Sequence, residues 1–313
     1  MSRKMRSLTA FLALFLVAMA LVPGCSRKEH HRVISLAPGS SEQPAPANPV
    51  GTGKPPLRVA IAAVISPRET LRYYATMLDY LGEQLDRPVQ VIQRQTYAEV
   101  NKLIKEEAID LAFVCTYAYV KGRAEFGMEL IAAPQVNGKP YYYSYIIAPS
   151  GTDARSIMDL KGKTFAFSDP LSMTGRIVPS YLLQENGQTP ERFFKKFLYT
   201  YSHDNSIKAV ADRLVDGAAV DSLVYEFTAK HEPALTKQVT IIQKVGPFGT
   251  PPVVVPPGLD PALKERIRSI LLTMDRTKRG RDILADIMVE RVVVPDDRLY
   301  DEVRRMAAAV QTE

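Results

Sequence analysis

The chain has 313 residues, 46% of them hydrophobic and 24% charged, with a formal net charge of +6. This balance describes a globular protein long enough for two domains and excludes a membrane bundle or a disordered chain. Arg3, Lys4 and Arg6 supply half of the net charge and no long basic run follows, so nucleic acid is not expected as a partner. The four histidines lack metal-finger spacing, and no metal or cofactor is expected.

The basic start precedes an apolar run from Leu8 to Val22. That run is short for a bilayer span and has the length of an export signal. It closes on "LVPGC", which resembles a bacterial lipoprotein box. Residues 1–25 are therefore read as a signal segment, with Cys25 lipidated and holding the exported chain on the membrane. An ordinary secretory signal or an uncleaved anchor is the alternative. Residues 26–56 are rich in Pro, Ser and Gly and read as a flexible tether. Cys115 is the only other cysteine. An unpaired thiol in an exported protein is either buried and inert or a ligand.

The folded body begins at "LRVAIAAV", Leu57–Val64, a nearly continuous apolar run expected to form a strand covered on both faces. "SPRET" signals a helix start, with Ser66 as cap, Pro67 in the first turn and Glu69 closing a capping box. The helix runs to about Leu85. "VQVIQ" is a second strand, and Thr96 with Glu99 forms another capping box that puts Tyr97 in a first helical turn. "DLAFV" is a third strand, leading through Cys115 and Thr116 into a helix. Tyr141–Ala148, "YYYSYIIA", is a strand with too many tyrosines for a plain core. A further strand–helix series follows, and the last forty-odd residues are read as helices. Strand–helix alternation on this scale implies parallel sheets in two α/β lobes with a ligand cleft between them. The expected division is 57–148 for the first lobe, 149–243 for the second and 244–313 for the return, with crossings near Ala148–Gly151 and Lys244–Thr250.

"FAFSDPLSMTGRIVPSYLL", Phe165–Leu183, leaves an apolar strand through Asp-Pro and meets Ser172, Thr174 and Gly175 where a helix starts. A simple N-cap explains Ser172 alone. Helix N-termini offer unpaired N–H groups and a partial positive charge, two hydroxyls add donors, and glycine lets backbone approach an oxyanion. Asp169 precedes proline and is read as support for the turn.

Together with "YYYSYIIA", "YSHDNSIKAV" and "GAAVDS", the segment "DLKGKTFAFSDPLSMTG" resembles the PhnD-type solute-binding proteins of phosphonate, phosphite and phosphate ABC transporters. The similarity runs over essentially the whole body, Leu57 to Val310. It implies a two-lobed periplasmic-binding-protein-like fold of type II and a small oxyanion held at Ser172, Met173, Thr174 and Gly175. It further implies Tyr97, Tyr142 and His203 as ligand contacts, with Tyr141 or Tyr143 replacing Tyr142 if the register slips by one. Asp204 beside His203 either fixes its tautomer or caps the next helix. Relatives that bind aminoalkylphosphonates hold the ammonium with carboxylates, and here Leu223 and Thr250 stand at those positions. Asp221 lies nearby as a structural acid or a further contact. That departure favours phosphite, phosphate or a simple phosphonate. Cys115 occupies a cleft-facing turn that usually carries a small residue in relatives, with Thr116 next to it. Arsenite-sensing relatives use such a thiol, and a buried packing role is the alternative.

No GxSxG, HExxH or phosphate-binding loop is present, and no enzyme is expected. The implied partner is an ABC permease, or a membrane histidine kinase that reads the closed form.

Overall fold

A computed structural model describes residues 54–310. The export signal, Cys25 and all but the last three residues of the tether lie outside the described residues. In chain order the strands are β1 (Leu57–Ile61), β2 (Val89–Gln93), β3 (Leu111–Phe113), β4 (Glu129–Gln135), β5 (Tyr141–Pro149), β6 (Thr164–Phe167), β7 (Lys196–Tyr199), β8 (Gly217–Asp221), β9 (Val239–Gly249), β10 (Val253–Val255) and β11 (Arg291–Val293). The longer helices are α1 (Pro67–Leu85), α2 (Tyr97–Lys105), α3 (Thr116–Phe126), α4 (Val178–Glu185), α5 (His203–Ala211), α6 (Ser222–His231), α7 (Pro261–Thr273), α8 (Lys278–Asp286) and α9 (Asp301–Ala309).

Two sheets result, in the order β11-β4-β10-β3-β1-β2 and β7-β6-β8-β5-β9. In the first, β1 runs parallel to β2 and β3; in the second, β6 runs parallel to β7 and β8. β1, whose apolar run demanded cover on both faces, lies inside the first sheet between β2 and β3. In lobe 1, Leu57, Val59, Leu81, Leu85, Ile267 and Leu271 pack between sheet and helices. In lobe 2, Phe165, Phe167, Phe193 and Phe194 form an aromatic group on one face of the sheet. A third cluster draws on both lobes and joins Tyr97, Cys115 and Tyr119 to Met173, Ile177 and Val178.

The division of the chain differs from expectation at both crossings. β5 pairs antiparallel with β8 and β9, so Tyr141–Pro149 belongs to lobe 2 rather than lobe 1. β9 stays in that sheet through Gly249, so lobe 2 spans 141–249 instead of 149–243. The outward crossing lies at 136–140 and the return at 250–252. Strand length alone does not say which sheet takes an end strand; only pairing partners do. The C-terminal region also contains β11, an antiparallel edge on β4, where helices alone were expected.

Thr250 ties the crossings together. Its N–H donates to the Pro140 carbonyl (3.0 Å) and its hydroxyl to the Pro134 carbonyl (2.8 Å), while its own carbonyl accepts from Tyr300 Oη (3.0 Å). These bonds account for a buried hydroxyl that the sequence offered as a ligand contact.

Candidate functional site

Several helices begin at the junction of the lobes. α2 starts at Tyr97 behind an intact Thr96–Glu99 capping box, as its sequence requires. Its first N–H, on Tyr97, donates across the cleft to Asp169 Oδ2 (3.1 Å), whose Oδ1 accepts from Leu171 N (2.7 Å). Asp169 therefore supports its own turn and also fastens lobe 2 to lobe 1. Burial pushes its carboxyl up, and the two N–H donors oppose that.

Two further bonds cross the cleft beside α5. The His203 N–H donates to the Val64 carbonyl (3.0 Å), and Ser66 N donates to Asp204 Oδ1 (2.9 Å). Neither expected role of Asp204 is seen. Ser202 caps α5, accepting from Asn205 N, and Asp204 faces lobe 1. Ser66 precedes α1 as expected, but its side chain makes no capping bond.

The segment after Asp-Pro opens as a π-type turn, Met173–Ile177, before α4. The Ser172 carbonyl accepts from both Arg176 N (3.1 Å) and Ile177 N (3.0 Å). Pro179 has no N–H to return to this turn, which leaves carbonyls in need of donors. Ser144 Oγ donates to the Thr174 carbonyl (2.7 Å) and Ser168 N to that of Gly175 (3.3 Å). Such π turns are frequent at functional sites.

Ser172 caps this turn, its Oγ accepting from Gly175 N at 3.0 Å. That N–H is consequently engaged within the turn, contrary to the expectation that it faces a ligand. Met173, the residue after Ser172, packs in one cluster with Cys115 and Tyr117. Gly175 is required by space: a Cβ there would lie 1.9 Å from Ser168 Oγ and 3.0 Å from His203 Cε1.

His203 is buried, and Asp221 N donates to its Nδ1 (3.1 Å). The ring proton consequently sits on Nε2, which points to Ser172 Oγ at 3.4 Å. Burial lowers the pKa to about 3, so the ring is a neutral donor at physiological pH. Asp221 itself caps α6, Oδ1 accepting from Leu223 N (2.7 Å) and Val224 N (3.4 Å), and burial raises its carboxyl to about 7. This is the structural role open to it in the sequence.

Tyr142 is buried while Tyr141 and Tyr143 are only partly so, which fixes the register of the tyrosine strand. Its Oη lies 2.8 Å from Thr116 Oγ1, which donates to the Gly249 carbonyl (3.2 Å). Thr116 thus positions Tyr142. Cys115 is buried, its thiol pushed up to about 12 by desolvation.

Three buried hydroxyls in this region have no hydrogen-bond partner: Tyr97 Oη, Ser168 Oγ and Thr174 Oγ1. Each such group costs about 1–3 kcal/mol if left unpaired, so three close together mark a place arranged for something other than stability. Ser168 is the residue that sequence reasoning missed. Its signal was position alone, at the carboxyl end of β6, where ligands of α/β sheets bind. Among the described residues no group of three or more His, Cys, Asp or Glu is placed to hold a metal ion.

The model of the family described as "ABC transporter, phosphonate, periplasmic substrate-binding protein" matches residues 59–300. The chain belongs to this family. It is 22% identical over 237 residues to the probable ABC transporter phosphite binding protein of Prochlorococcus marinus, covering 72% of this chain and 80% of that protein. A binding protein component of an ABC phosphonate transporter from Pseudomonas aeruginosa superposes with a TM-score of 0.77 at 23% identity, over 82% of this chain and 87% of the other. The Prochlorococcus marinus protein in complex with methylphosphonate gives 0.73 at 20% identity, over 80% and 97%. The fold is the two-lobed type II periplasmic-binding-protein fold, as the resemblance implied.

Proposed function

We propose that this family member captures a small phosphorus oxyanion (phosphite, phosphate or a simple phosphonate) between its lobes and delivers it to an ABC permease. The observation that carries the reading is the set of unpartnered buried hydroxyls on Tyr97, Ser168 and Thr174, beside the neutral Nε2–H of His203 and the Ser172 hydroxyl. Donors without acceptors, drawn from both lobes, suit a compact anion. Because closure assembles them, an anion bound there favours the closed form, which the permease reads. Leu223 and Thr250 in place of carboxylates support a ligand without an ammonium group. The expected anchor is lipid on Cys25, which holds the exported protein at the membrane facing the periplasm or cell exterior.

Isothermal titration with phosphite, phosphate and methylphosphonate tests the reading. At least one should bind, and Ser172→Ala with His203→Ala should weaken it by roughly ten- to a hundredfold, from the usual worth of charge-assisted bonds. Unchanged affinity in the double variant refutes the site.

One observation favours a second reading. Buried Cys115 packs in one cluster with Met173, which opens the same turn, where a thiophilic species such as arsenite would meet it. A protein of that kind would present its closed form to a membrane histidine kinase. Arsenite binding that disappears in Cys115→Ser while phosphite fails to bind would select it.

A further inference from the structure

The candidate site has buried acids around it and no buried cation. Asp169, Asp204 and Asp221 are all buried, and among the described residues no Lys or Arg is. Arg176, inside the π turn, donates to Ser180 Oγ (2.5 Å) and lies over the Phe167 ring. Two of the three acids are well matched. Asp169 accepts two N–H groups, and Asp204 accepts one and pairs with Lys208 (3.5 Å). The partners of the Asp221 carboxyl are the two N–H groups at the start of α6.

Asp221 stands close to the anion-binding groups. It ends β8, the central strand of the second sheet, and its N–H meets His203 Nδ1 (3.1 Å). In the β5–β8 pairing it lies opposite Ser144, whose Oγ holds the Thr174 carbonyl of the π turn (2.7 Å). The titratable groups around it are neutral or acidic: His203, the phenols of Tyr74, Tyr97 and Tyr142, the Cys115 thiol, and Glu226. A carboxylate here together with an oxyanion on the neighbouring hydroxyls would put two like charges in one desolvated place with no cation to offset them.

We propose that Asp221 is a specificity-determining residue of the anion site: it belongs there as the uncharged acid, and its ionisation and the bound oxyanion exclude each other. The proposal rests on the oxyanion reading above. Burial raises the Asp221 carboxyl to about 7 against the pull of the two N–H groups, and Glu226 adds to the rise. A bound anion raises it further, so the acid keeps its proton in the complex. Binding is therefore full below about pH 7 and weakens as pH rises through that value, by up to about tenfold per pH unit.

Isothermal titration of the full chain and of Asp221→Asn with phosphite and methylphosphonate, from about pH 6 to about pH 8.5, tests this. Both proteins meet the same ionisation of the ligand, so the ratio of variant to wild-type affinity isolates Asp221. That ratio should rise about tenfold between about pH 6 and about pH 8. Infrared difference spectra of the wild type at about pH 8 give a second readout that needs no variant. Adding phosphite should bring up the carbonyl band of a protonated carboxyl as the anion binds. A ratio that stays constant across the range while the anions bind overturns the role of Asp221 and leaves the anion site standing. Binding at the higher pH without a new protonated-carboxyl band does the same. If neither anion binds at any pH, both readings fall.

Discussion

Gly175→Ala probes the arrangement that separates this turn from an ordinary capped helix. The added methyl would sit 1.9 Å from Ser168 Oγ, 2.8 Å from Ser168 Cβ and 3.0 Å from His203 Cε1. The hydroxyl can rotate away, but Ser168 Cβ cannot move without the backbone, which is tied to Gly175 by the Ser168 N–H bond to its carbonyl. His203 is equally confined, held at Nδ1 by Asp221 N and through its own N–H by Val64. Relief therefore requires the end of β6 and the π turn to separate, an overpacking cost of about 1–3 kcal/mol. For a folded body of this size each kcal/mol lowers the melting temperature by about 2–4 °C. The same displacement moves Ser168, Ser172 and His203 apart, so oxyanion affinity should fall by at least about tenfold, the loss of one charge-assisted bond. Differential scanning calorimetry and isothermal titration read the two effects. A variant that melts within about 1 °C of wild type and binds the anion unchanged would show that the close approach of β6, Gly175 and His203 is not the working geometry.

The remaining predictions concern groups whose surroundings are equally explicit. The buried His203 is neutral in the fold down to about pH 3, so the unfolded chain takes up a proton as pH falls below its ordinary value and stability is lost in that direction. Asp221 has the opposite sign: its folded carboxyl holds a proton up to about pH 7, and the stability this gives is lost as pH rises from about 4 to 7. Between about pH 4 and 6.5 the two slopes offset, so Asp221→Asn, which can still cap α6, should expose the His203 slope of up to about 1.4 kcal/mol per pH unit; parallel melting curves for variant and wild type across that range would contradict it. Asp169→Asn with Asp204→Asn removes the charge from the two carboxylate acceptors among the three cross-cleft N–H bonds, and should speed ligand release more than it slows capture in stopped-flow experiments; an effect confined to the association rate would count against the clasp. Cys115, buried and with its thiol raised to about 12, should resist iodoacetamide at pH 8 in the folded protein, and Cys115→Ser should keep phosphite or methylphosphonate affinity within about threefold, less than one neutral hydrogen bond; rapid alkylation or a larger loss would make the thiol part of the site.

Local chemistry by itself determined a good deal of this protein. Apolar runs of strand length gave β1, β3 and β6, because strands covered on both faces are built mainly of apolar residues. Thr96 with Glu99 marked the start of α2, because a helix end needs partners for its first N–H groups within three residues. Ser172, Thr174 and Gly175 after Asp-Pro picked out the turn at the centre of the candidate site, and the tyrosine excess in β5 signalled a strand with duties beyond packing. Pairing, and contacts between residues far apart in the chain, were decided only in three dimensions. β5 joined the second sheet because β8 and β9 offered it partners on both sides, which moved both crossings. Thr250 and Thr116 became struts because carbonyls from distant segments came within reach of their hydroxyls. Gly175 N–H was spent on Ser172 because the Ser172 side chain folded back to cap its own turn, bringing Oγ within 3.0 Å of it. Asp204 turned to Ser66 and Asp169 to Tyr97 because closure brought helix starts from the opposite lobe against them. Ser168 emerged only when Gly175 and His203 closed around it. A sequence states which groups can donate and accept; which of them remain without a partner depends on distances that only the folded chain sets.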